Sequence, residues 1–277
     1  MERIKFDNKF LKENSQFISI STALNMIEEG FDADAVISKN YDKWQSDESN
    51  KYYGLTPDQI KDIWESKAKQ STDYGSKLDD YIKECLTGDD ISKELWEMDN
   101  NREGDKRLDN ICISFDDFKK DFLDRDEIIF IDREQTLYYE FEPNKYIMGR
   151  FDALFYNKKT NKYIIIDWKS SGEINKVANR WTKKMLGPAN ILDQLNYTRY
   201  TLQTHTYKLA LIKNYLPKDT KPEDILTFIV DLPGNKIQDS DKMYDLCSEA
   251  IPYNEELLNN IFKFAFKKKE LLKRKNK

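Results

Sequence analysis

An acidic and a basic side chain stand two residues apart at the end of an apolar segment. The segment reads YIIIDWKSS and places Asp167 and Lys169 directly after three isoleucines. Isoleucine-rich runs of this length are typical of buried strands. Because alternate side chains of a strand share a face, Asp167 and Lys169 lie side by side, while Trp168 faces the opposite way, towards the core.

A second carboxylate, Asp152, lies in an equally apolar segment, 167 − 152 = 15 residues before Asp167. The polar residues NKKTNK between the two segments favour a hairpin turn, which would bring the two carboxylates to one sheet edge. Two carboxylates in apolar surroundings repel each other unless a cation compensates their charge. Mg²⁺ or Mn²⁺ would do so, because these ions bind one or two carboxylates together with waters and phosphate oxygens.

Lys169 would lie beside such an ion. There its amine would orient or deprotonate an attacking water, or neutralise the charge that develops on a phosphate, as phosphodiester hydrolysis requires. The simpler interpretation of the Asp-x-Lys triplet alone is a solvated strand end or a weak surface ion pair. Asp152, together with a helix further along the chain, favours the site.

That helix spans residues 197 to 214. Tyr200, Gln203 and Tyr207 are spaced by three and four residues and therefore line one face. Gln203 both donates and accepts hydrogen bonds, which suits holding water, Lys169 or a phosphate oxygen, whereas Tyr207 either contacts substrate or packs against the sheet. His205 lies on another face and is expected to be a surface or packing residue.

The elements that must position these residues follow from the periodicity of the chain. Helical patterns dominate up to residue 125, with Thr56 as the N-cap and Pro57 as the first residue of a helix. We expect a mixed-sheet α/β core over residues 126–277 and an N-terminal helical region, residues 1–125, that packs on it. The predicted segments are helices at 56–70, 74–86, 115–125, 197–214 and 254–275, strands near 127–132, 135–143, 146–157, 162–170 and 225–233, and a loop at 99–110.

The composition limits the class of protein. The 277 residues carry a net charge of −5, which argues against a globally basic nucleic-acid binder but leaves room for a local basic surface. No apolar run approaches the length of a membrane span, and we expect an intracellular protein. The three cysteines are too few for a four-cysteine iron–sulfur cluster or a tetrahedral zinc site.

The motifs together resemble the PD-(D/E)XK nucleases of the RecB-like branch, which includes phage-type exonucleases. In that family a G-x-x-D strand supplies one metal ligand, a D-[WY]-K-[ST] strand supplies a second ligand and the lysine, and a helix with Q-x-x-x-Y flanks the site. The matching segments in this chain are Gly149 to Asp152, Asp167 to Ser170, and Gln203 with Tyr207.

The resemblance extends upstream to the helix predicted at 74–86, which would contribute to the site. Asp79 stands where the family usually has a metal-binding histidine, and Lys83 stands where the family often has glutamate. Asp79 is able to bind a hard ion through oxygen, and we expect it to be a further ligand.

The resemblance implies a restriction-endonuclease-like core in which Asp152 and Asp167 bind Mg²⁺ or Mn²⁺, together with the backbone carbonyl of Trp168. Lys169 would activate water and Gln203 would position it, without an iron–sulfur cluster. The implied partner is DNA, with protein partners in replication or recombination and no membrane. The implied location is the cytoplasm of a bacterium or of a virus-infected host cell.

A basic and aromatic segment, KVANRWTKK at 176–184, follows the Asp-x-Lys strand. Arg180, Lys183 and Lys184 suit phosphate binding, and Trp181 suits stacking on an unpaired base. An ordinary solvated loop is the equally simple alternative.

The sequence therefore predicts a metal-dependent DNA nuclease, foremost an exonuclease acting at DNA ends or on single strands. Two alternatives stay open: an endonuclease of restriction or junction-cleaving type, and a catalytically inactive DNA-binding or assembly protein with the same fold.

Overall fold

Two units make up the chain in the computed structural model, which describes residues 4–87, 106–170, 174–234 and 242–275. The larger unit comprises Met1–Glu29 and Glu97–Lys277, and the smaller comprises Gly30–Trp96. This division differs from the predicted boundary at residue 125. The difference arises because residues before 30 supply a strand to a sheet of the larger unit, and the helix after residue 105 also belongs to that unit.

The smaller unit contains two helices, α2 (Ala33–Gln45) and α3 (Pro57–Thr87). Thr56 caps α3 as predicted, since its hydroxyl accepts from the Gln59 amide while the Gln59 side chain accepts from the Thr56 amide. One continuous helix replaces the two helices predicted at 56–70 and 74–86. The intervening residues, 71–73, contain neither proline nor glycine, so the helix continues through them.

A three-stranded sheet of the larger unit has the order β1 (Gln16–Ser19), β4 (Lys145–Arg150) and β3 (Thr136–Glu142). Strand β1 runs parallel to β4, and β3 runs antiparallel to β4. The presence of β1 corrects the expectation that the region before residue 125 is entirely helical. Its residue Ile18 is buried and pairs with Ile147 of β4, so the strand is held by the sheet.

A five-stranded mixed sheet carries the predicted chemistry. Its order is β2-β5-β6-β7-β8, in which β6 and β7 are parallel and the other neighbours are antiparallel. The predicted hairpin between β5 and β6 is confirmed. Asn157 Oδ1 accepts from the amides of Lys159 and Thr160 in its turn. The strands are β2 (Ile128–Arg133), β5 (Ala153–Asn157), β6 (Lys162–Lys169), β7 (Ile225–Asp231) and β8 (Asp245–Cys247).

The helices of the larger unit are α1 (Ile20–Met26), α4 (Lys106–Phe118), α5 (Asn196–Asn214) and α6 (Glu255–Lys275). Helix α5 contacts β3 of the smaller sheet as well as β6 and β7 of the larger one. Most of its residues are therefore buried, and a single core joins both sheets to α1, α5 and α6. None of the helices in the described ranges has the length and apolar character that crossing a bilayer requires.

Two further predictions of element boundaries were wrong. The segment 146–157, predicted as one strand, divides at Phe151 and Asp152 into β4 and β5, which belong to different sheets. Residues 106–110, predicted as a loop, begin α4, because the buried Leu108 continues the helical spacing of Ile111 and Phe115. The rest of the predicted loop, 99–105, lies outside the described residues.

Candidate active site

The hairpin register places Asp152 opposite Asp167. Ala153 of β5 pairs with Ile166 of β6, so continuing the register by one residue brings the two aspartates face to face. Directly opposed residues of an antiparallel pair point to the same side of a sheet. Asp152 Oδ2 accepts a hydrogen bond of 2.8 Å from the Trp168 amide, which holds this carboxylate against the end of β6.

Asp167 and Lys169 lie side by side, as the strand alternation predicted. The Lys169 Nζ is 2.5 Å from Asp167 Oδ2, and it also lies 4.7 Å from the centre of the Tyr200 ring. The Asp167 side chain is fully buried, whereas the Lys169 side chain is 20% exposed. Lys169 is therefore the member of the pair whose side chain has surface open to solvent.

Neighbouring carboxylates stabilise the charged form of Lys169. Burial on its own would lower the pKa of this amine, but the carboxylates of Asp167 and Asp152 overcome that effect and raise the pKa above the ordinary value for lysine. Burial likewise raises the pKa of Tyr200, with Lys169 opposing the rise and Asp167 adding to it. Lys169, Tyr200 and the two aspartates thus form one electrostatic cluster.

Helix α5 contributes Gln203 to this cluster. Its side-chain amide nitrogen lies 3.1 Å from Asp167 Oδ1 and 2.7 Å from the Tyr207 hydroxyl, so it donates to both. Tyr207 is 3% exposed and packs in the main core, where burial raises the pKa of its hydroxyl well above normal. Tyr207 therefore lies behind Gln203 and fixes its orientation.

Gly149 allows β4 to approach this arrangement. A Cβ on residue 149 would lie 2.2 Å from Ile20 Cδ1 and 2.9 Å from Tyr207 Cε1, which is closer than side chains pack. The glycine of the G-x-x-D segment thus has a packing role in seating the tyrosine.

The donor set suits a hard divalent ion. Asp167 Oδ2 is buried and contacts the Lys169 amine, yet none of the described groups donates a well-aligned hydrogen bond to it. Such an oxygen retains a lone pair for a cation. The described residues contain no group of three or more His, Cys, Asp or Glu side chains placed to hold a metal. Two carboxylates with waters and phosphate oxygens nevertheless meet the usual requirement of Mg²⁺.

Trp168 faces away from the carboxylates, as predicted. It is 6% exposed, and its ring contacts Phe115 and Phe118 of α4 at centroid distances of 5.5 and 5.6 Å. In the ladder between β6 and β7 it pairs with Val230. The indole thus anchors the end of β6, while the role of its carbonyl as a ligand stays a prediction.

The remaining predicted residues belong to α3 and to the connection between β6 and α5. Asp79 lies partly buried on α3 in the smaller unit, and its role as a ligand stays a prediction. Arg180, Lys183 and Lys184 lie in the connection between β6 and α5. Lys183 forms an ion pair with Glu29, and the others contact the Trp181 ring and Asp193, respectively.

Sequence reasoning missed Asp231, at the end of β7. It is 3% exposed, and it pairs in register with Lys169 because β7 runs parallel to β6. Its charge also contributes to the raised pKa of Tyr200. The available signal was an acid at the end of the apolar run ILTFIVD, the same pattern that singled out Asp167.

His205 is a packing residue, as predicted. It is 1% exposed, its ring contacts the Tyr253 ring at 5.5 Å, and its Nε2 lies 3.3 Å from Glu249 Oε1. Lys208 and Thr227 also contact that carboxylate oxygen, at 2.6 and 3.0 Å. This buried polar group lies on the face of α5 that is turned away from Gln203.

The interpretation of this site rests on its geometry alone. No protein-family model matches the sequence, and none of the curated proteins is significantly similar to it.

Proposed function

We propose that this chain is a metal-dependent DNA nuclease of the PD-(D/E)XK type, and that it acts as an exonuclease at DNA ends or on single strands. The observation that carries the proposal is the convergence of Asp152, Asp167 and Lys169 at the end of the β5–β6 hairpin. A surface ion pair would not explain why Asp167 is fully buried.

The order of elements around the hairpin supports a restriction-endonuclease-like core. Strand β6 is followed by α5 and then by β7, which lies parallel to β6 in the same sheet. Side chains from the ends of β6 and β7 therefore meet at one edge, and α5 places Gln203 against the same carboxylate. Ligand sites of open α/β sheets favour this position at the carboxyl ends of parallel strands.

Asp152 and Asp167 would hold a Mg²⁺ or Mn²⁺ ion, with the Trp168 carbonyl as a further predicted ligand. When bound, the ion would supply Lewis-acid stabilisation of the phosphate. Lys169, as the partly exposed partner of a buried carboxylate, would hold positive charge next to the scissile phosphate. Gln203 would orient the Asp167 carboxylate through its hydrogen bond, with Tyr207 keeping the amide in place.

The proposal is tested by a nuclease assay with end-labelled linear DNA and Mg²⁺ or Mn²⁺. We expect degradation by the wild type and a rate about 100- to 1000-fold lower for Lys169→Ala, the size of loss typical of an electrostatic stabiliser. Lys119→Ala is the matched control, because Lys119 also pairs with an aspartate, Asp124, at 2.6 Å. An inert wild type, or equal degradation by wild type and Lys169→Ala, would contradict the proposed role.

A further inference from the structure

A second candidate site lies in the connection between β6 and α5. A cavity of about 340 Å³ opens there, and its lining includes Val177, Trp181, Lys183 and Leu195. Two of these side chains expose large apolar surfaces, Val177 at 82% and Trp181 at 70%. An indole exposed to this degree beside a cavity is unusual for a packing residue and suits contact with a flat ligand.

Hydrogen bonds fix the turn that presents the indole. Asn179 Oδ1 accepts from the Trp181 amide at 2.8 Å, and the Asn179 amide donates to the Thr182 hydroxyl at 2.9 Å. The Arg180 guanidinium lies 4.7 Å from the centre of the Trp181 ring. Because these contacts order the loop before any ligand arrives, binding costs little conformational entropy.

The charges of this segment are largely compensated. Lys183 pairs with Glu29, Lys176 pairs with Asp245, and the Lys184 Nζ lies 2.8 Å from Asp193 Oδ1. A surface that bound DNA through its phosphates would instead offer these amines without acidic partners. The Trp181 indole, which is largely exposed, and the Arg180 guanidinium beside it are groups of the kind that stack on nucleobases.

The loop is anchored to the candidate active site. Ile174, at its start, packs in a cluster with Ile229 and Cys247, against which Tyr200 also packs. The Tyr200 ring in turn contacts the Lys169 amine at 4.7 Å. At its other end, Leu195 is the N-cap of α5, and Gln203 lies eight residues further on, a rise of about 12 Å along the helix. Because Leu195 also lines the cavity beside Trp181, this cavity lies about two helical turns along α5 from Gln203.

We propose that Trp181 and Arg180 form a stacking site for an unpaired base of single-stranded DNA. The inference rests on the proposed nuclease function, because it assigns the substrate class of the same site. A base in a duplex has both faces covered by its neighbours, so the site selects single strands or frayed ends over intact double strands. Recognition by stacking is tolerant of sequence.

The test is binding of fluorescently labelled oligo(dT) and of a blunt duplex, measured by anisotropy in EDTA, where cleavage cannot occur. We expect Trp181→Ala to weaken oligo(dT) binding about 5- to 100-fold, as loss of one stacking contact does, with duplex binding unchanged. Trp181→Phe should retain most of the affinity. Phe31→Ala removes an equally exposed aromatic, at 72%, in the smaller unit and serves as the matched control.

The salt dependence separates stacking from charge. The slope of log affinity against log salt should be the same for wild type and Trp181→Ala, because no phosphate contact is lost. Unchanged oligo(dT) affinity in Trp181→Ala, an equal loss for duplex, or absence of oligo(dT) binding by the wild type would overturn the inference. None of these three results bears on the nuclease function, which the cleavage assay tests separately. Conversely, a protein that fails to cleave DNA but binds oligo(dT) through Trp181 would contradict the nuclease function and support the stacking site.

Discussion

A Cβ atom on residue 149 would lie 2.9 Å from Cε1 of Tyr207, so only a glycine lets β4 approach the tyrosine ring this closely. Tyr207 is buried and holds Gln203, so the ring cannot move aside without disturbing the site. We predict that Gly149→Ala lowers the free energy of unfolding by about 1–3 kcal/mol, the usual cost of overpacking. Thermal or denaturant unfolding measures the effect. Gly30→Ala is the control, since nothing lies within 4 Å of a Cβ there, and equal stability of the two variants would contradict the packing role.

The contact between Gln203 and Asp167 gives a prediction about activity. Gln203→Ala removes the donor to Asp167 Oδ1, and we expect the cleavage rate to fall about 10- to 100-fold, as with other groups that orient ligands. Tyr207→Phe removes only the support behind Gln203 and should have the smaller effect. The measurement is the rate of DNA cleavage at saturating metal. A larger loss of cleavage rate in Tyr207→Phe than in Gln203→Ala would contradict the assignment of Gln203 as the direct partner of Asp167 and of Tyr207 as its support.

The buried polar group around Glu249 predicts a pH dependence of stability. Burial opposes ionisation of Glu249, but the neighbouring His205 imidazole and Lys208 amine lower its pKa from 4.5 to about 2. A carboxyl group whose pKa is lowered by folding stabilises the protein above the unfolded-state pKa, and this stabilisation is lost as the pH falls from about 5 towards 2. Glu249→Gln should therefore destabilise the protein at pH 7, by on the order of 2 kcal/mol, and by less near pH 3.

Denaturant unfolding of both proteins at pH 7 and pH 3 measures this difference. Glu142→Gln is the matched control, because Glu142 pairs with Lys145 at a more exposed position and should contribute little at either pH. A destabilisation by Glu249→Gln that is the same at both values of pH would show that the ionised carboxylate is not the stabilising species.

The proposed exonuclease activity predicts dependence on DNA ends. Linear DNA should be degraded, and a covalently closed circle of the same sequence should stay intact over the same time. Agarose electrophoresis of the two substrates with Mg²⁺ or Mn²⁺ makes the comparison. Cleavage of the circle at a comparable rate would favour the endonuclease alternative while leaving the metal site in place.

The β5–β6 hairpin could be predicted because its determinants are local. The alternation of side chains placed Asp167 beside Lys169, and β5 is linked to β6 by a polar segment of the kind that is common in hairpin turns. The same local logic did not reveal that the segment 146–157 divides at Phe151 and Asp152, since both halves have strand-forming composition. Which strands share a sheet depends on pairing with distant residues such as those of β1, which local periodicity does not report.

Helix α5 shows a second limit of sequence reasoning. Its polar residues, including Thr201, Thr204 and His205, would ordinarily indicate a solvated face, yet they are buried. The reason is that α5 contacts strands of both sheets, so a second face is covered. The Thr201 and Thr204 hydroxyls donate to carbonyls of the helix, Thr201 also accepts from the Ala250 amide, and His205 contacts Glu249. Asp231 was missed for a related reason, because its position beside Lys169 follows from the parallel pairing of β7 with β6.

The most direct test of the account is a calorimetric titration of the protein with Mn²⁺. We predict that the wild type binds the ion and that Asp167→Asn and Asp152→Asn each weaken or abolish binding, with circular dichroism confirming that the variants are folded. Asp124→Asn, which alters a solvent-accessible ion pair with Lys119, should bind Mn²⁺ as the wild type does. Absence of Mn²⁺ binding by the wild type, or undiminished binding by folded Asp167→Asn, would contradict a divalent-metal site at the end of the β5–β6 hairpin.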